Sequence, residues 1–113
     1  MAATVVISFK DLDAVERVRS EVQRRCEALG EEFPETTRFE VILAADGSGY
    51  VAHGHVTGNS TEVAGHAAAP ELAQAADKLL DNLQRQLRKS HQKKIFTRRR
   101  AAQRTKERQR SES

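Results

Sequence analysis

A chain of 113 residues has the length of one domain, and a domain of this size buries only about 60–70% of the surface its unfolded form exposes, which leaves little room for an enclosed active site and favours function on the surface. No run approaches the roughly eighteen apolar residues that span a bilayer, and a single cysteine excludes an internal disulfide, so the chain reads as soluble, intracellular and cytoplasmic, with no membrane partner. The net charge of +3 conceals a segregation: residues 1–84 carry 7 Lys and Arg against 14 Asp and Glu, a net of −7, and residues 85–113 carry 12 against 2, a net of +10.

The first element is the alternating run TVVISFK, in which Val5, Ile7 and Phe9 share one face and Thr4, Ser8 and Lys10 the other. It predicts a half-buried strand over residues 3–10. Asp13 with Glu16 three positions on resembles a capping box, and Val15, Val18, Val22, Cys26 and Leu29 follow at spacings of three and four. That pattern predicts a helix closed by Gly30, with Cys26 as a small buried hydrophobe rather than a reactive thiol. Pro34 breaks the connection at 31–37, after which Phe39, Val41 and Leu43 alternate as a second strand. DGSG at 46–49 turns the chain into a third strand at 50–57, and GNS turns it into a fourth at 61–68.

Pro70 and Glu71 are suited to open a second helix. Leu72, Ala76, Leu79, Leu80, Leu83 and Leu87 form its apolar stripe, while Lys78, Arg85, Arg88, Lys89 and Gln92 fall on the opposite side. Beyond Lys94 the period fails, so residues 1–94 read as the domain and 95–113 as a basic tail, disordered when free. The order β-α-β-β-β-α implies one mixed four-stranded sheet with two helices packed on one face, an α+β fold.

The hairpin at GNS, paired so that Thr57 meets Glu62, sets His53 opposite His66 with His55 nearby. Three imidazoles can bind zinc. The small residues Ala52, Gly54, Val56, Val63, Gly65 and Ala67 on the other face take the helices, which leaves the histidines on the open side as a polar sheet surface without a second shell. No metal or other cofactor is expected, and no nucleophile elbow, P-loop or metalloprotease motif occurs; the reading is a non-enzyme with no small-molecule substrate.

The run ELAQAADKLLDNLQRQLRKSHQKK at 71–94 resembles the last helix of the ribosome hibernation-promoting factors and the ribosome-associated inhibitor called protein Y. Glu71, Ala75 and Asp77 occupy the early positions of that helix, and Leu83, Arg85, Gln86, Leu87, Lys89, Lys93 and Lys94 the later ones. The element order agrees over residues 3–94, although Ala73 stands where an aromatic residue is common. The resemblance implies binding to the small ribosomal subunit and its rRNA, in the channel of messenger and transfer RNA, and inhibition of translation under stress or starvation. It carries RNA contacts onto Arg85, Arg88, Lys89, Lys93 and Lys94, with Lys78 weaker.

The charge pattern leads toward the same partner. Arg and Lys gain affinity for RNA by displacing condensed counterions, and Arg also grips phosphate bidentately, which adds Arg98, Arg99, Arg100 and Arg104 of the tail to the expected RNA contacts. With one Tyr and no Trp, shape and charge rather than base stacking should carry recognition. The free protein is expected to be a monomer. Two other readings fit part of the chain: a double-stranded or structured RNA-binding module of order α-β-β-β-α, which the first strand would exclude, and a protein-interaction domain using Val6 and Ile42 on the open sheet face.

Overall fold

The computed structural model describes the backbone of residues 3–112 and the side chains of residues 3–92. Six elements follow in order: β1 (Thr4–Lys10), α1 (Glu16–Glu32), β2 (Thr36–Asp46), β3 (Gly49–Gly58), β4 (Thr61–Ala69) and α2 (Leu72–Glu112). The strands form one sheet in the order β1-β2-β3-β4. β1 and β2 are parallel, as the intervening helix requires, and the two hairpins are antiparallel. This is the α+β architecture that the hydrophobic periods predict, with α1 and α2 on one face.

Period-2 alternation sets the core. Phe39, Val41 and Leu43 on β2 are fully buried, and Ala52, Val56 and Val63 face the same way from β3 and β4. The predicted stripe of α2 closes over them: Leu79, Leu80, Leu83 and Leu87 are each at most 1% exposed. Gly54 makes this close seating possible, because a Cβ there would stand 2.8 Å from a methyl of Leu83 and 3.1 Å from one of Leu79. Val18, Val22, Cys26 and Leu29 bury the inner face of α1. Cys26 is wholly enclosed, and burial pushes its thiol up to about 12, the inert behaviour expected of a core cysteine.

Four helix boundaries differ from the sequence reading. α1 starts at Glu16 with Val15 at its N-cap and no side-chain cap, so the Asp13–Glu16 capping box does not form. Leu12 packs against the core and Asp11 adopts a φ of 59°, which holds the link out of helical geometry for several residues. The same helix runs two residues past Gly30, because Phe33, 3% exposed, anchors the chain below its end and its N–H bonds to the Leu29 carbonyl. α2 begins at Leu72 rather than Pro70, with the Glu71 carbonyl accepting from the Ala75 N–H. Its helical backbone extends to Glu112, across the boundary at residue 94 where the sequence reading ends the domain.

Candidate nucleic-acid interface

The cations of α2 fall on two sides of the helix, separated by what each side meets. One side faces α1. There Arg25 of α1 reaches Asp81 at 2.8 Å and Asp77 at 3.6 Å, Glu32 pairs with Arg88 at 3.5 Å and accepts from Gln84, and Glu35 meets His91 at 3.1 Å. These contacts form a polar seam between the helices. Arg88 is exposed as expected, but its charge is already answered by the protein's own carboxylate. The pair is open to water on both sides, so it is worth little to stability.

The other side turns away from α1. Lys78, Arg85 and Lys89 recur at spacings of seven and four, which places them in one stripe along the outer surface of α2. All three are exposed, and among the described residues none has an ion-pair or hydrogen-bond partner. Asn82 and Gln86 border the stripe, and Gln86 donates to Asn82 and to the Ala64 carbonyl of β4, which pins this flank of α2 to the sheet. A rigid row of unanswered cations on a helix is a surface that phosphate can neutralise with little reorganisation. The side chains of Lys93, Lys94, Arg98, Arg99, Arg100 and Arg104 lie outside the described residues.

The histidines occupy the open face of the sheet. Thr57 pairs with Glu62 and His53 with His66, the register expected from the turn. The two rings are 6.1 Å apart between centroids, and His55 meets Glu62 at 2.9 Å. Among the described residues no three metal-ligating side chains gather. Ile42 is 42% exposed on the same face.

The interhelical seam has no local sequence signal. Arg25 lies more than fifty residues from Asp77 and Asp81, and only the packing of α1 beside α2 brings them together. Glu32 and Glu35 look like ordinary surface acids, so the division of α2 into an answered and an unanswered side becomes visible only in three dimensions.

Comparison with known proteins bears on this arrangement. A profile of the family described as sigma 54 modulation protein / S30EA ribosomal protein matches residues 5–95. No curated protein sequence matches. Among solved structures, a ribosomal subunit interface protein from Coxiella burnetii superposes with a TM-score of 0.69 at 13% identity, covering 78% of this chain and 97% of that one. The N-terminal domain of protein Y from Thermus thermophilus gives a TM-score of 0.67 at 19% identity, covering 79% of this chain and 98% of that one. Both likenesses concern the fold. Among the described residues no helix is long and apolar enough to cross a membrane.

Proposed function

The chain belongs to the sigma 54 modulation protein / S30EA ribosomal protein family, and from that premise we propose that it binds the small ribosomal subunit, occupies the channel used by messenger and transfer RNA, and inhibits translation as a hibernation factor. The observation that carries this reading is the stripe of Lys78, Arg85 and Lys89, without a partner among the described residues on an otherwise acidic domain. The protein acts by binding rather than by catalysis. Structured RNA presents phosphates at a density that such a row can track, and the acidic remainder of the domain disfavours any other approach to a polyanion. Arg88 takes part only when RNA phosphate displaces Glu32, which makes it a weaker contact than its neighbours.

The basic segment 95–113 has a separate task. It follows the rigid stripe and carries 7 Lys and Arg against 2 Glu, so it raises encounter rate and non-specific affinity while the helix sets the docking position. A chain fixed by such contacts loses conformational entropy on binding.

The double-stranded RNA module loses its basis in the fold, because β1 is formed and pairs in parallel with β2, a strand that the α-β-β-β-α order lacks. Chemical probing of small-subunit rRNA with and without the protein, beside an in vitro translation assay, tests the proposal. Protection confined to the channel together with inhibition supports it, and inhibition without any small-subunit footprint refutes it.

A further inference from the structure

The two edges of the sheet are unequally protected. Folded proteins blunt strand edges with charge, proline, bulges or a covering element. At β4 the Gln86 side chain bonds the Ala64 carbonyl at 2.7 Å, and Glu62 lies within the strand. β1 reads TVVISFK, with no proline and its one charge, Lys10, at the very end. It has a single strand neighbour, β2, and among the described residues no side-chain hydrogen bond reaches it. Its helix-side residues Val5, Ile7 and Phe9 pack against the core yet stay half-buried, whereas Phe39, Val41 and Leu43, beside them on β2, are at most 1% exposed. The free edge leaves apolar surface in water.

We infer that β1 is the interface for a second copy of this chain, paired antiparallel about a two-fold axis through Ile7, so that the two sheets become one. A two-fold interface must be self-complementary, and β1 meets that condition residue by residue. Ile7 is the centre of the seven residues Thr4–Lys10, which sets Val5 against Phe9, Val6 against Ser8 and Thr4 against Lys10. Apolar residues then meet on the helix side, and the two Lys10 ammonium groups lie at opposite ends.

The helix above the strand carries a matching pattern. α1 runs back over β1: the Arg19 guanidinium lies 5.3 Å from the centroid of the Phe9 ring, and the Gly30 Cβ position would be 3.5 Å from that of Ala3. With rises of about 3.3 Å per strand residue and about 1.5 Å per helix residue, the point of α1 above Ile7 is near Gln23. Arg19, Gln23 and Glu27 follow one another at intervals of four, basic, neutral and acidic about that centre. Within its own helix Arg19 meets Glu16 at 3.5 Å and Glu27 accepts from Gln23 at 2.9 Å, exposed contacts that leave both charges open to a partner. A two-fold axis there sets Arg19 of each copy against Glu27 of the other. The strand and the charge row share one axis, although neither determines the other.

This pairing departs from the expectation of a free monomer. α2 lies over β3 and β4 at the far end of the sheet, so Lys78, Arg85 and Lys89 stay open in the pair. A strand pair with one helix beside it on each side is a small interface of the concentration-dependent kind. Sedimentation equilibrium of the full chain should therefore give a mass that climbs with concentration from 12.6 kDa toward twice that value. Val6→Lys with Ser8→Lys, both on the open face, gathers four lysines at the axis and should raise the dissociation constant at least about tenfold, circular dichroism confirming that the chain is folded. Glu27→Arg alone should also weaken the pair, and Arg19→Glu added to it should restore the pair. A mass fixed at one chain at every concentration overturns the inference, as does a dimer indifferent to the lysine pair. Failure of the double charge exchange to restore association overturns the axis through Ile7.

Discussion

The contact between Gly54 and Leu83 can be tested by a double-mutant cycle. Gly54→Ala places a methyl carbon 2.8 Å from Leu83 Cδ1 and 3.1 and 3.2 Å from the two Leu79 methyls, a clash in a core where Leu79 and Leu83 are fully buried. Overpacking of this kind costs about 1–3 kcal/mol, reduced by the roughly 0.4–1 kcal/mol that alanine gains over glycine by restricting the unfolded chain. Leu83→Ala alone empties a buried site and should cost about 2–5 kcal/mol. In the double variant the new methyl enters the space that Leu83 vacated and keeps only its contact with Leu79. The two costs should therefore fail to add, with about 1 kcal/mol or more of favourable coupling. Urea unfolding of the four proteins reads this directly from the midpoints, provided the slopes agree. Additivity within about 0.5 kcal/mol would show that Leu83 is not what Gly54 makes room for.

Gln84→Ala, beside Leu83 but on the α1 side, removes only a 3.4 Å bond to Glu32 and should change stability by less than about 0.5 kcal/mol. Cys26 gives a pH dependence of definite sign: its thiol is pushed from 9.0 to about 12 by burial, so the unfolded chain ionises first. Stability should be unaffected by this group below pH 9 and fall as pH rises from 9 toward 12, which thermal melts of the wild type and Cys26→Ala will separate. Affinity for small subunits should fall log-linearly with salt, by about 0.7–0.9 in slope per phosphate neutralised, and a flat response would remove the phosphate mechanism. Reversing Lys78, Arg85 and Lys89 to glutamate should abolish the rRNA footprint and translation inhibition with folding intact. Deleting residues 97–113 should slow and weaken association with the footprint unmoved; the reverse outcome assigns docking to the tail.

The fold was legible because its signals are local and periodic. Alternation in TVVISFK and in Phe39, Val41 and Leu43, the three-and-four spacing from Leu72 to Leu87 and two glycine-bearing turns specify every element and the hairpin register that pairs His53 with His66. The ends of helices were less legible. Asp13 offers a cap in sequence, but Leu12 is drawn to the core and moves the start of α1 to Glu16, a choice made by tertiary packing. The exposed position of Lys78, Arg85 and Lys89 followed from the helix period, whereas the engagement of Arg88 by Glu32 did not. That pair depends on how α1 and α2 lie side by side, and no spacing within either helix encodes it.

Gly54 has a consequence beyond stability. Leu79 and Leu83 both rest against the gap it leaves in β3, so the sheet holds α2 as a slot holds a key. Rolling the helix about its axis would lift both leucines out of that slot, and the Gln86 bond to Ala64 resists the same motion from the flank. The bearing of Lys78, Arg85 and Lys89 is thus fixed by a residue without charge or side chain. A larger group at position 54 would therefore turn the cationic row away from its heading at the same time as it loosened the core.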